Sequence, residues 1–152
     1  MAKREKSEFN LDGDAFSLFR TTFDNSLAIT AYDGNRKGSA VGNDFSDAGI
    51  DTAVRSAVAS AASAEDDPAN GIAPGEGKKC FEVGVLERDM DRFFDRVMEF
   101  KNDLAAKYPL IKLTSVVASY SRSDSLFKTS EGSEFESHSG AYDFVAEFAG
   151  ND

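Results

Sequence analysis

The stretch from Leu27 to Ala64 leaves this chain the least freedom, because it reads strand, turn, strand and capped helix in one run. Leu27-Ala28-Ile29-Thr30-Ala31-Tyr32 alternates large and small residues, as a half-buried strand does. Asp33-Gly34-Asn35 follows as a turn, since glycine enters the positive-φ geometry that hairpins need. Arg36 to Gly42 returns antiparallel to the first strand. Ser46 is placed to cap a helix, with Asp47 near its positive end. Ile50, Ala53, Val54, Ala57, Val58, Ala61 and Ala62 then share one helical face. Most of them are small, so the spacing predicts a helix lying close to a sheet.

Upstream, residues 1–14 are mostly polar and read as a flexible end. Phe16 to Phe23 alternate and give a further strand, ending near Asp24-Asn25. Downstream, Pro68 stops the first helix, and the residue before a proline is biased away from helical geometry. Asp67 to Gly77 is rich in Pro, Gly and acids and reads as an ordered loop or hinge. A short strand is expected around Phe81-Glu82-Val83-Gly84-Val85. A second helix opens at Asp89 and carries Met90, Phe93, Phe94, Val97, Met98, Lys101, Leu104 and Ala105 at helical spacing until Pro109.

The last third is strand-like. Ile111, Leu113 and Val117 share one parity; Val116, Ala118 and Tyr120 share the other. A second strand is expected over Asp124 to Thr129 after a Ser-rich turn. Glu131-Gly132 is the next turn, and Phe135 to Phe148 make one long strand with a bend near Gly140. The expected order is β-β-β-α-(β)-α-β-β-β. This is α+β, an antiparallel or mixed sheet with two main helices packed on one face. Residues 15–152 read as one domain, and a chain stopping just after a strand reads as a fragment of a longer protein.

Composition narrows the function classes. The chain has 152 residues and a formal charge of -10. Phosphate contacts need clustered Lys and Arg, so the balance argues against a nucleic-acid partner. Arg36-Lys37 and Lys78-Lys79 read as solvated turns. The one cysteine, Cys80, excludes an intramolecular disulfide and fits a cytoplasmic location. Residues 1–10 lack the apolar stretch of a secretory signal, and no run reaches the length that crosses a bilayer, so no membrane role is expected.

His138 is the only histidine, and one His with one Cys falls short of a zinc set, so it reads as a surface or packed residue. Lys78 and Lys79 could lower the pKa of Cys80, yet no base is readable beside it. The acids Asp66-Asp67, Glu87 with Asp91, and Glu134 with Glu136 read as solvated faces, although Glu134 and Glu136 share a strand side and could hold a cation weakly. The glycines Gly71, Gly75, Gly77 and Gly84 lack the ending of a phosphate-binding loop. Ser115, Ser119, Ser121, Ser123 and Ser125 read as strand edge and turn. Such an edge, over Leu113 to Ser130, could accept an extended peptide by backbone hydrogen bonds. No catalytic, cofactor-binding or metal-binding residue is assigned, and no cofactor is expected.

Three stretches carry a family resemblance: Arg36-Lys37-Gly38-Ser39-Ala40; Glu65-Asp66-Asp67-Pro68-Ala69-Asn70-Gly71-Ile72-Ala73; and Phe127-Lys128-Thr129-Ser130-Glu131-Gly132-Ser133-Glu134. In their order and spacing, Leu27 to Pro74 resemble the amino-terminal region of the TldD/PmbA family, whose members are often labelled modulators of DNA gyrase, and the resemblance covers most of residues 16–150. The third stretch is similar to that family's Asn-Ser-x-Gly turn, with Thr129 in place of Asn and Gly132 kept. The likeness is nearer the PmbA-like branch. It implies a scaffold and substrate-chamber domain of a longer, oligomeric protein, homo- or hetero-, that handles peptide or unfolded protein. The family's metal motif, His-Glu-x-x-x-His with a later Cys, belongs to another domain and is not matched here. The resemblance therefore implies metal-dependent proteolysis carried out outside this segment. The alternative is a self-contained module that binds an extended peptide at a sheet edge.

Overall fold

The hairpin and helix expected between Leu27 and Ala64 are both present in the computed structural model, which describes residues 1–13 and 15–150. The elements are β1 (Ala2–Asp12), β2 (Ala15–Asp33), β3 (Arg36–Gly42), α1 (Asp47–Ala62), β4 (Gly77–Gly84), α2 (Met90–Lys107), β5 (Ile111–Lys128) and β6 (Ser133–Gly150). The six strands form a mixed sheet in the order β3-β2-β1-β5-β6-β4. The α+β class and the succession of strands and helices are as expected.

Boundaries differ inside that succession. Two expected strands, Phe16–Phe23 and the one from Leu27, are a single β2, because Asp24-Asn25-Ser26 stay extended. The two strands expected from Ile111 to Thr129 are likewise one, and the Ser-rich segment is strand rather than turn. The largest correction is at the start. Residues 1–14 were expected to be a flexible end, yet Ala2–Asp12 is β1, second neighbour to the β3 edge and paired between β2 and β5. Its polar residues masked the pattern; Phe9 and Leu11, exposed by only 1% and 2%, are enough to anchor it. Residue 14 lies outside the described residues.

The chain divides into two compact units. The first comprises Met1–Arg4, Asp24–Phe81 and Asp124–Ser137. Here β2 pairs antiparallel with β3 from Leu27↔Gly42 to Asp33↔Arg36, and Gly34 closes the turn at φ 62°. Ser46 caps α1, its Oγ accepting from the Gly49 amide. The helix buries only Ala53, Ala57 and Ala61; Val54 and Val58, expected on the same face, are 40% and 53% exposed. Its contact stripe is thus one alanine per turn, narrower than the sequence spacing suggested. The reason is Gly38. A Cβ there would sit 2.1 Å from the Ala61 nitrogen and 2.2 Å from the Ala57 oxygen, so strand and helix backbones touch. Arg36 fastens the far end of α1 by donating to the Ala62 carbonyl, where the helix leaves acceptors unfilled.

The loop after α1 is ordered, and the hairpin turn holds it. Asn35 O accepts from the Asp67 amide and from Asn70 Nδ2, while Asp67 Oδ1 accepts from the Ala69 amide. At the other end of this unit, Gly132 has φ 94° and its amide donates to Thr129 O, while Thr129 Oγ1 accepts from the Ser133 amide. Thr129 and Gly132 therefore make the turn expected of them.

The second unit comprises Glu5–Phe23, Glu82–Ser123 and His138–Asp152. Asp89 caps α2 by accepting from the Arg92 amide. Its apolar face covers a core of Phe9, Leu11, Val97, Leu113, Val116 and Ala118, with Met90, Phe93, Phe94, Met98, Phe100 and Leu104 packed against it. Phe9 meets Phe93 and Phe94 edge-on at 5.6 and 5.4 Å, and Phe100, which the spacing argument passed over, meets Phe144 at 5.2 Å. Each fully buried Phe or Leu contributes about 1.5–3 kcal/mol. Leu113 and Val116 share this core at an odd separation, so the alternation of β5 changes phase between them. The connection from β4 to α2 is pinned by side chains: Tyr120 Oη donates to Val85 O, Arg122 donates to Leu86 O, and the Asp89 amide donates to Tyr142 Oη.

Candidate functional site

The first unit has a cleft of about 550 Å3 where β3 turns into α1. Leu27, Val41, Asp44, Thr52, Ala53 and Ser56 are among its lining residues. The sequence builds it by default. Ala40 and Ala53 are too small to fill the space, and the connection from β3 to the helix must swing outward. Asp44 Oδ1 accepts from the Ser46 amide at 2.9 Å, and this hydrogen bond holds the Asp44 carboxyl below its usual range. Gly49 makes room for it, since a Cβ there would lie 2.5 Å from Asp44 Cγ. Thr52 Oγ1 is committed to the Ala48 carbonyl. The arrangement offers the Asp44 carboxylate, the Ser56 hydroxyl and the acceptor side of Thr52 Oγ1 beside small apolar residues. That chemistry suits holding an N–H-bearing group; it supplies no nucleophile beside a base. Sequence reasoning missed this site. Its only signal is Asp44 two residues before the Ser46 cap.

The residues singled out from sequence are distributed as follows. Cys80 is exposed, and its Sγ lies within 4.8 Å of a Glu136 carboxylate oxygen. His138 is half-buried on β6. Glu134 is not open to a cation: it bridges Lys128 and Lys78 at 3.1 and 3.2 Å, and Lys128 before Lys78 holds its carboxyl below the usual range. Lys78 and Lys79, expected in a solvated turn, lie in β4, where Lys79 pairs with Glu76 and sits 5.5 Å from the Phe135 ring. Arg36 and Lys37 are in β3. Asp66 accepts a long 3.5 Å contact from Asn35, so Asp66-Asp67 serve the loop rather than a cleft. Glu87 and Asp91 are exposed, Asp91 in the first turn of α2.

The serines of β5 are not at an edge. β5 lies between β1 and β6, and Ser119 is 4% exposed. Ser115 donates to Glu147. The edge expected over Leu113 to Ser130 does not exist; the sheet ends at β3 and β4. One buried charge escaped the sequence reading. Glu8, 5% exposed, accepts from Lys6 at 2.7 Å and pairs with Arg20 at 3.0 Å. The Lys6 hydrogen bond holds its carboxyl below the usual range, against burial that pushes it up. Among the described residues, no helix is long and apolar enough to cross a membrane.

Residues 2–61 match the family described as PmbA/TldA metallopeptidase domain 1. No curated protein sequence matches the chain. Among solved structures, TldE from Thermococcus kodakarensis superposes with a TM-score of 0.83 at 15% identity, over 99% of this chain and 35% of that one. A protein described as a modulator of DNA gyrase from Bacteroides thetaiotaomicron gives 0.73 at 18% identity, over 99% and 36%. Another so described, from Thermotoga maritima, gives 0.67 at 13%, over 99% and 35%. The chain thus spans about a third of the length of these structures. The chain is thus similar over residues 2–61 to the first domain of the PmbA/TldA metallopeptidases, and it shares its fold with these three structures along 99% of its length.

Proposed function

We propose that the chain is a scaffold and substrate-chamber domain of a PmbA-like protein, a single domain whose parent carries out metal-dependent peptide proteolysis with residues outside this segment. The observation that carries this reading is the match of residues 2–61 to the first domain of a metallopeptidase family. The candidate cleft agrees with it: it offers hydrogen-bond acceptors and small apolar walls, which hold a chain, and no activated nucleophile. In this reading the domain works within an oligomer of the full-length parent, in the cytoplasm, and meets unfolded protein rather than nucleic acid. Incubating the chain with an unfolded protein, with and without added zinc, tests it. Binding without cleavage is the expected result. Zinc-dependent cleavage by the isolated chain would overturn the reading.

A second reading, a module that takes an extended peptide at a sheet edge, is favoured by one observation. All eight residues of the edge strand β4 are exposed, with Phe81 and Val83 at 47% and 63%. Backbone addition there would slow amide exchange over Gly77–Gly84 when peptide is present. Unchanged exchange excludes that edge.

A further inference from the structure

The only cysteine and the only histidine stand far apart in the sequence, and the sheet brings them together. β4 and β6 are neighbouring strands. Lys79 and Phe81 of β4 both meet the Phe135 ring of β6, which places Cys80 and Glu136, the residues next to them, on the opposite side of the two strands. His138 follows Glu136 by two residues on β6 and shares its side. One ligand atom of each, the Cys80 Sγ, a Glu136 carboxylate oxygen and a His138 ring nitrogen, lies within 4.8 Å of the other two. Ligand atoms held about 2.0–2.3 Å from a tetrahedral zinc ion stand roughly 3.3–3.8 Å from one another, so closing the set takes shifts of about 1 Å. Cys80 and Glu136 are exposed, and rotation about their side-chain bonds supplies that. Lys78, on the same side, is countered by Glu134.

We infer that Cys80, Glu136 and His138 hold one divalent ion of the zinc class, and that the ion clasps the edge strand β4 to β6. The donor set selects the metal. Magnesium and calcium take oxygen ligands, whereas one thiolate beside an imidazole and a carboxylate suits zinc. Three protein ligands leave the fourth position to water, so the ion is gripped without being enclosed. His138 ligates through one ring nitrogen and keeps the other for a hydrogen bond that fixes the ring. The formal charge of -10 draws cations towards the chain as a whole, and the thiolate and imidazole decide where a zinc-class ion stays. The clasp has a mechanical consequence. All eight residues of β4 are exposed, so side-chain packing anchors this strand thinly. An ion shared with β6 adds bonds at that weak place, and because the set exists only in the folded chain, binding stabilises the fold by mass action.

Titration of the reduced, tag-free chain with cobalt(II) tests the inference, because cobalt adopts zinc's geometry and reports its ligands in its spectrum. One cobalt per chain is expected, with a thiolate-to-cobalt band in the near ultraviolet and the strong visible bands of a four-coordinate ion, all erased when zinc displaces it. Cys80→Ser should abolish the near-ultraviolet band. His138→Ala and Glu136→Gln should each raise the dissociation constant about tenfold or more, while Asp66→Asn, at an exposed acid of the loop after α1, should leave it unchanged. Circular dichroism checks that each variant is folded. Zinc at about a hundred times its dissociation constant should raise the melting temperature by roughly 5–10 °C and slow amide exchange over Gly77–Gly84, and should do neither in Cys80→Ser. Weak visible bands that survive Cys80→Ser mark adventitious binding to surface carboxylates and overturn the inference. So does a spectrum and affinity that His138→Ala leaves unchanged. One cobalt per two chains would put the ion between the cysteines of two copies, and would equally overturn it.

Discussion

Replacing Gly38 by alanine adds one methyl group at the place where β3 and α1 touch. Its carbon would stand 2.1 Å from the Ala61 nitrogen, 2.2 Å from the Ala57 oxygen and 2.7 Å from the Ser60 carbonyl carbon. All three are backbone atoms, so no rotamer change relieves the overlap. Ordinary contact begins near 3.4 Å, so strand and helix must part by about 1 Å, lifting Ala57 and Ala61 off the sheet. Overpacking of this kind costs about 1–3 kcal/mol, and a backbone clash places Gly38→Ala near the upper end. The gain from stiffening the unfolded chain, about 0.4–1 kcal/mol, does not offset it. The net loss of about 2 kcal/mol corresponds to a fall of roughly 4–8 °C in melting temperature for a chain of this size. Urea and thermal denaturation followed by circular dichroism measure it. Gly42→Ala is the control, because a Cβ there meets nothing within 4 Å on the same strand. Trimming Ala57 or Ala61 to glycine should not rescue the variant, since the obstacle is main chain. If Gly38→Ala melts together with Gly42→Ala, the close approach of strand and helix is refuted.

Three further outcomes follow from named contacts. Glu8 has a lowered carboxyl pKa, so its ion pairs add stability above the unfolded value of about 4.3 that is lost as pH falls through the folded value; Glu8→Gln should therefore cost stability at pH 7 and progressively less toward pH 3, and a constant difference in urea midpoint across that range would contradict the pairing. Asp89→Ala removes the α2 cap and should cost about 1 kcal/mol, read as a lower urea midpoint with unchanged slope. Asn70→Ala removes one of the two hydrogen bonds that hold the loop to Asn35 O, leaving that of the Asp67 amide; limited proteolysis should then cut between Pro68 and Gly77 faster while global melting barely moves, and identical cleavage rates would show that Asn70 does not hold it.

The caps were legible because a helix terminus is a local problem. Ser46 and Asp89 answer it with one side chain each, and both sit where sequence put them. The ordering of the loop after Pro68 was legible only as an alternative, since its anchor, Asn35, lies on the hairpin turn far upstream. β1 was hidden because Lys3 to Lys6 and Glu8 outnumber its two core residues, and one of the two ion pairs that make the burial of Glu8 tolerable comes from Arg20 on the next strand. The same limit misplaced the serines of β5. Whether a polar strand is edge or interior depends on which strands pair with it, and local alternation carries no record of that. Of the candidate site, the glycine and alanine content was visible, but not the cleft, which arises from how β3 hands over to α1.

The position of β1 sets a timing problem during synthesis. Its neighbour β5 is made long after it: the Gly13 amide waits for the Thr114 carbonyl. A ribosome adding about 5–20 residues per second leaves that partner missing for roughly 5–20 s. Until α2 follows at Met90–Lys107, Phe9 and Leu11 have β2 beside them and no helix above them, and a nascent hairpin alone is marginal in water. The segment therefore emerges with its future interior uncovered, and a holding chaperone at the tunnel exit would find a binding segment in Ala2–Asp12.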